Sequence, residues 1–274
     1  MGSVNVVEAE PGRPTLAGLG EGAGAIPGPP NVTLIMPYYD NAEMLRVHLA
    51  AWHDWPADIR ERFKVIIVDD GSPTAPAASV PLPANLIDIS IYRVTEDRPW
   101  HQHAARNLGA HVADDGWLLL TDMDHVLTAE NAAALVRRLR KMDEGTVYTL
   151  HRIEADTGEP TLGRTGKPKP HPNSFVLTKD LYWRIGGYDE DYCGVYGTDG
   201  MFRQRAFHVG VRGHLKRVAL TRYWRGLIPD ASTTTLPRKE GRDEGAKKAI
   251  AKAKWDRGEE DVVKVLQFEW ERVL

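Results

Sequence analysis

Cysteine is nearly missing from this chain: Cys193 stands alone among 274 residues. No internal disulfide can form, which excludes a stapled secreted scaffold and fits a reducing compartment. No stretch reaches the roughly 18 consecutive apolar residues of a membrane helix. The N-terminus lacks the charged-then-apolar order of a secretory signal. Met1-Gly2-Ser3-Val4-Asn5-Val6 also lacks the Ser or Thr of a myristoylation site. Neither sign of charge dominates, with 35 Lys and Arg against 38 Asp and Glu for a net −3. That balance argues against a broad nucleic-acid surface and leaves room only for a local basic groove. The expectation is a cytoplasmic protein without a transmembrane segment.

Residues 1–30 are poor in bulky apolar side chains and rich in Gly, Ala, Pro and Glu, ending in Pro27-Gly28-Pro29-Pro30. Such a composition cannot offset chain entropy by burial. It reads as a flexible leader, part of which could drape over the domain that follows. No internal repeat is present. The remainder, within a chain that is 42% hydrophobic, is enough for one substantial α/β domain, placed at residues 31–228. Residues 229–274 read as a charged, helical C-terminal extension whose amphipathic end docks on the domain or on a second copy.

Apolar runs alternate with helical stripes through the first half. Strands are expected at Val32–Met36, Val65–Val68, Ile87–Val94 and Trp117–Thr121, and helices near 41–52, 100–113 and 130–142. This alternation predicts a mostly parallel sheet covered on both faces. Further on, Thr146–Leu150 and Ser174–Leu177 read as strands, and 179–185 and 198–208 as helices. Residues 154–172, rich in Gly, Pro, Lys and Thr, read as a long exposed loop, which at that length is a lid or a disordered segment. Its cations Arg164, Lys167 and Lys169 would suit closure over a phosphate, or simply solvation.

Chemistry concentrates where apolar strands end. Leu118-Leu119-Leu120 runs into Thr121-Asp122-Met123-Asp124-His125. Alternate strand residues share a face, so Asp122 and Asp124 project together at the carboxyl end, where open α/β sheets bind ligands. Two hard oxygen ligands there suit a divalent cation completed by phosphate oxygens, although Asp is also common in plain turns. Val65-Ile66-Ile67-Val68 likewise delivers Asp69, Asp70, Gly71 and Ser72. A carboxylate at that place accepts from a nucleobase N–H or a ribose hydroxyl, or it caps the turn. Pro37-Tyr38-Tyr39 sets aromatics at the first strand's end. His103-Ala104-Ala105-Arg106-Asn107-Leu108-Gly109 sets the Arg106 fork on a closely packing helix. Gly186-Gly187-Tyr188-Asp189-Glu190, followed by Tyr196-Gly197-Thr198-Asp199, ends a glycine turn in acids that could face the same pocket or merely suit a helix dipole. Trp100, Trp183 and Trp224 are candidate sugar-stacking faces. His101 and His103 are expected in polar roles rather than as a metal pair.

The ordered set P-Y-Y, V-D-D-G-S, A-R-N-L-G, T-D-M-D and G-G-Y-D-E…Y-G-T-D, from Asn31 to Trp224, resembles the GT-A glycosyltransferases of the family 2 type. The resemblance implies a single α/β, Rossmann-like domain and a nucleotide-sugar donor, UDP-linked by default, bound with Mn²⁺ or Mg²⁺. It implies that Pro37, Tyr38, Tyr39, Gly71, Arg106, Asp122 and Met123 lie along the donor. Asp69 or Asp70 would hold the base, Asp122 the ribose or the metal, and Asp124 the metal. Asp199 would be the catalytic base of an inverting transfer. A late metal-binding histidine is implied too, with His208 and His214 as candidates. Two positions depart from the pattern: Thr198 stands where the family has Glu, and Met201 where an acid is frequent. The acceptor therefore stays open among glycan, lipid-linked, small-molecule, protein and modified nucleic-acid base. Rival readings are a non-catalytic sugar-nucleotide or glycan-binding module on the same fold, a haloacid-dehalogenase-like phosphotransferase attacking through Asp122, and a nucleotidyltransferase.

Overall fold

The computed structural model describes residues 5–8, 31–84, 86–230 and 243–274. Within the stretch read as a flexible leader, Asn5–Glu8 forms a strand, β1. The rest of that stretch, and residues 231–242 of the extension, lie outside the described residues. Four apolar runs then become β2 (Val32–Tyr38), β3 (Phe63–Asp69), β4 (Asp88–Val94) and β5 (Trp117–Leu120). They pair in parallel in the spatial order β4-β3-β2-β5. Runs without polar alternation are what strands buried on both faces require. Leu118, Leu119 and Leu120 are all fully buried, each contributing about 1.5–3 kcal/mol of transfer free energy.

Helices cover both faces. On one side, Leu45, Leu49 and Trp52 of α1 (Ala42–His53) join Ala132, Leu135 and Leu139 of α4 (Ala129–Leu139) against Leu34 and Met36. On the other, Ala104, Ala105 and Leu108 of α3 (Gln102–Val112) join α5 (Lys179–Ile185) and α6 (Asp199–Val209) against Ile35, Val68 and Leu120. The small residues of α3 permit a close approach. A Cβ on Gly109 would lie 2.3 Å from Ile35 Cγ2. A short α2 (Ala57–Arg60), not anticipated from sequence, precedes β3.

Beyond β5 the sheet turns antiparallel. β8 (Phe175–Thr178) pairs with β5, β7 (Thr146–Glu154) with β8, and the two-residue β6 (His125–Val126) with β9 (Val211–Arg222), while β9 runs parallel to β7. β9 went unpredicted because charged residues interrupt its apolar alternation and the β7–β9 register shifts at Leu150/His151. The loop expected at 154–172 is present and mostly exposed, but it is ordered. β7 continues through Glu154, and the segment folds back on itself through the Ile153↔Pro160 and Leu162↔Pro168 bridges. Among the described residues no helix is long and apolar enough to cross a membrane.

The extension is helical only in part. After α7 (Glu244–Asp256), β10 (Val262–Val265) pairs with β1 and β11 (Trp270–Arg272) adds antiparallel to β4. Lys254 of α7, 2% exposed, donates to Asp189 Oδ2 at 2.7 Å, Asp191 Oδ2 at 3.0 Å and the Val262 carbonyl at 2.6 Å. Glu190 accepts from the Leu266 and Gln267 backbone N–H groups at 2.8 and 2.7 Å. Removing one partner of a buried ion pair costs about 3–5 kcal/mol, because the other charge stays buried. Lys254→Met is expected to lower the stability measured by urea denaturation by that order, whereas the exposed Lys252→Met change should leave it within about 0.5 kcal/mol.

Candidate active site

The carboxyl ends of β2, β3 and β5 open on one cleft of about 330 Å³, closed from the far side by α3 and the segment leading into α6. Its walls include Pro37, Tyr39, Asp70, Trp100, Gln102, Asp122, Met123, Asp124, Tyr196 and Asp199. Most of the residues singled out in the sequence therefore meet.

Hydrogen bonds separate residues that look equivalent in sequence. Both oxygens of Asp69 are taken by the loop after β3, accepting from the Ser72 and Ala77 backbone N–H groups at 2.7 Å each. Asp70 differs: it lines the cleft, and its buried Oδ1 has no hydrogen-bond partner. Burial, reinforced by the neighbouring Asp69 charge, pushes its pKa well above the usual carboxylate range. Gly71 is required beside it. Its φ is +96°, and a Cβ would lie 2.7 Å from the Glu96 carbonyl and 2.8 Å from Asp97 Cα. Tyr38 is fully buried with its hydroxyl donating to the Ala75 carbonyl, so it builds the wall instead of offering a ring. Tyr39 stays half-buried at the cleft, donating to Asp97 Oδ1 at 2.9 Å.

The D-x-D pair shares the cleft but not its partners. Asp122 Oδ1 is paired with Nη2 of the fully buried Arg106, and His171 Nε2 stands 3.3 Å from Asp122 Oδ2. Burial raises the Asp122 pKa to about 6, with Arg106 opposing and the Asp124 and Asp199 charges adding to the rise. Asp124 lies 2.6 Å from His125 Nδ1. Burial works to raise its pKa, but the charge and hydrogen bond of His125, with Arg222, more than reverse this and hold the carboxyl below its ordinary value. Between the two acids, the Met123 carbonyl accepts from His48 Nε2 at 2.7 Å. Burial holds the His48 pKa down to about 4, so the ring is a neutral donor.

Asp199 opens α6. Its Oδ1 accepts from Gln102 Nε2 at 2.8 Å and from Asn173 Nδ2 at 3.4 Å, and the same Asn173 nitrogen is 3.3 Å from Asp122 Oδ1. One amide thus bridges the D-x-D pair and Asp199. Gln102, Asn173, His125 and His171 were missed in sequence. The signal available for two of them was the run His171-Pro172-Asn173-Ser174, a loop rich in polar groups directly before a buried strand. Thr198 does not enter the cleft as an acid would. It is 2% exposed and its hydroxyl meets His103 Nε2 at 3.0 Å.

Other expectations are corrected. Asp189 and Glu190 do not reach the cleft; they bind Lys254, Asn107 and the extension's backbone. Neither His208 nor His214 lines the cleft. His208 is exposed in the last turn of α6, and His214 pairs with His151 at 2.7 Å across β9 and β7. Arg164, Lys167 and Lys169 are also outside its walls, so the basic segment is not seen closing on it. Trp224 donates to Asp156 Oδ2 at 3.1 Å and Trp183 packs edge-on against Tyr182. Trp100 alone of the three indoles lines the cleft.

Strands delivering acids to a cleft at the carboxyl edge of a parallel sheet, opposite a helix that opens on a further acid, match the arrangement expected of a GT-A glycosyltransferase. The profile described as "Glycosyl transferase family 2" matches residues 33–207, and the chain belongs to that family. No curated protein sequence matches the chain. In fold it is similar to TarS 1–349 of S. aureus in complex with UDP-GlcNAc, with a TM-score of 0.56 at 15% identity over 71% of this chain and 59% of that one. It is also similar to the mannosyltransferase PcManGT of Pyrobaculum calidifontis in complex with GDP-Man and Mn²⁺, with a TM-score of 0.53 at 18% identity over 87% of this chain and 73% of that one. The chain thus spans under two thirds of the TarS fragment's length.

His101, at the start of α3, is fully buried edge-on against Phe268, and burial, with Arg98 adding, lowers its pKa to about 4. The unfolded value is about 6.5. The folded state therefore binds fewer protons between these values, and its stability falls as pH drops from about 6.5 toward 4. His101 contributes up to about 3 kcal/mol to that loss. Denaturant midpoints followed from pH 7.5 to 4.5 should fall less steeply in His101→Leu than in the parent.

Proposed function

We propose that this glycosyltransferase moves a sugar from a nucleotide-linked donor, UDP-linked in the first instance, to an acceptor hydroxyl with inversion. The observation that carries the reading is the placement of Asp70, Asp122, Asp124 and Asp199, delivered by separate segments of the chain, around a single cleft. Asp70 would hold the nucleoside, because a buried carboxyl oxygen without a partner accepts from a base N–H or a ribose hydroxyl. Tyr39 and Pro37 flank that end.

The donor set at the cleft's centre fits a hard divalent cation. Among the described residues no group of three or more His, Cys, Asp or Glu side chains gathers to hold a metal unaided. Asp124, kept ionised, and Asp122 would supply the carboxylates, leaving phosphate oxygens and water for the remaining positions, as Mg²⁺ and Mn²⁺ favour. Such an ion would neutralise charge on the departing diphosphate. The protein's own groups do the rest. Arg106 fixes and balances Asp122. His125 fixes Asp124. Gln102 and Asn173 orient the Asp199 carboxylate, leaving it to take the proton of the acceptor hydroxyl. Positioning contributes more than proton removal, since alignment is worth about 7–11 kcal/mol against the 10²–10⁴-fold typical of general-base assistance.

Phosphotransfer through Asp122 fits the structure less well. Three parallel strands, β2, β3 and β4, precede Asp122 in the chain, whereas the phosphotransferase signature opens its domain, and residues 33–207, Asp122 among them, match a glycosyltransferase family. A purely binding role does not fit the family to which the chain belongs.

Calorimetry and turnover test the assignment together. UDP should bind with Mn²⁺-dependent affinity to the parent, and Asp124→Asn should abolish that dependence. Asp199→Asn should bind UDP and Mn²⁺ as the parent does while transfer falls about 10²–10⁴-fold. Transfer at the parent rate in Asp199→Asn would remove the base assignment.

A further inference from the structure

The base side of the cleft carries an aromatic wall that the donor does not account for. Trp100 and Tyr196 both line the cleft and are both half-buried, with ring centroids 4.6 Å apart and planes inclined at 44°. Each sits beside the groups that orient the proton transfer. Trp100 is two residues before Gln102, and Tyr196 three residues before Asp199, the two joined by the 2.8 Å Gln102–Asp199 hydrogen bond. The nucleoside end, at Tyr39 and Asp70, has its own aromatic and its own acid.

Backbone geometry marks Trp100 out. Its φ is +56°, a left-handed conformation sterically disfavoured for a bulky side chain. Such strain persists where the surroundings over-determine it and clusters where a side chain must be held at a ligand.

We infer that Trp100 and Tyr196 form the acceptor platform, and that the acceptor is a saccharide whose pyranose ring stacks on it. A pyranose presents a face of C–H groups rimmed by hydroxyls. An aromatic face flanked by Gln102, Asp199 and Arg98 matches that division between apolar body and polar edge. The rings touch each other, so nothing inserts between them, and the ligand lies on their outer faces. Two aromatics form too small an apolar surface for an acyl chain. The inclined planes make a wedge that follows a puckered ring better than a flat base. This inference rests on the reading of Asp199 as the base, because that residue marks the side from which the acceptor hydroxyl arrives.

The test is saturation-transfer NMR on enzyme saturated with UDP and Mn²⁺, using methyl glycosides of glucose, galactose, mannose, N-acetylglucosamine and rhamnose as probes. At least one glycoside should receive saturation on its ring C–H protons, and Trp100→Ala and Tyr196→Ala should each weaken its binding about tenfold or more. Trp100→Gly should lose the glycoside equally, yet melt about 2 °C or more above Trp100→Ala. That ordering shows strain held at this position, since both variants lack the ring. UDP and Mn²⁺ should bind all three variants as they bind the parent. Three results would overturn the inference: no glycoside signal while UDP and Mn²⁺ bind normally, glycoside binding that survives Trp100→Gly, or glycoside binding only when UDP is absent. Loss of Mn²⁺-assisted UDP binding by the parent would instead remove the donor reading, so the two failures are distinguishable.

Discussion

A single buried amide holds the two sides of the cleft in register. Asn107 is fully buried, and both ends of its side chain are used twice. Nδ2 donates to the Tyr188 carbonyl and to Glu190 Oε1, each at 2.7 Å, while Oδ1 accepts from the Tyr182 hydroxyl at 2.6 Å and the Tyr188 N–H at 2.8 Å. A buried network with every member satisfied rigidifies its surroundings, whereas one left half-satisfied is costly. Through these bonds α3, which carries Gln102 and Arg106, is fixed to the turn that leads into α6 and Asp199. Gly187 has to lack a side chain at that place, since a Cβ there would come 2.7 Å from Asn107 Oδ1. Glu190 passes the constraint on to the backbone of the C-terminal segment.

Neighbouring carboxylates of one motif have divided their work by hydrogen bonding. Asp69 is consumed by two backbone N–H groups, while adjacent Asp70 keeps an oxygen unpartnered. Asp122 is matched to a guanidinium and Asp124 to an imidazole, and their pKa values move in opposite directions. Asp189 and Glu190 are structural, and Asp199 faces the cleft. Each difference arises from what the fold packs against the carboxylate, since the side chains are chemically alike.

Sequence and structure agree where periodicity is strong. The buried runs at Val65–Val68 and Leu118–Leu120 have no alternative to a two-sided strand, and the stripe from Met44 to Leu49 has none to a helix. Capping settles boundaries that periodicity leaves vague, as at Asn41, whose Oδ1 accepts from the Met44 N–H at 3.1 Å. What stayed hidden depends on contacts distant in the chain. β9 is half-exposed and irregular, recognisable as a strand only by its pairing with β7. Asn173 carries no motif of its own and gains its place because β8 returns beside β5. The acids of the glycine turn read like site residues until Lys254, 65 positions later, is seen against Asp189.

The last strand has a consequence for the molecule's behaviour among its own kind. β4 would otherwise end the parallel array with a row of free backbone donors and acceptors, the kind of border on which foreign strands add and fibrils nucleate. β11 occupies that border in the antiparallel sense, with the Val273 N–H reaching the Ile91 carbonyl at 2.9 Å and the Ile91 N–H the Leu274 carbonyl at 3.1 Å. The segment 270–274 thus acts as a sheath, and its three-residue strand leaves far less open backbone at the border than the seven residues of β4 would.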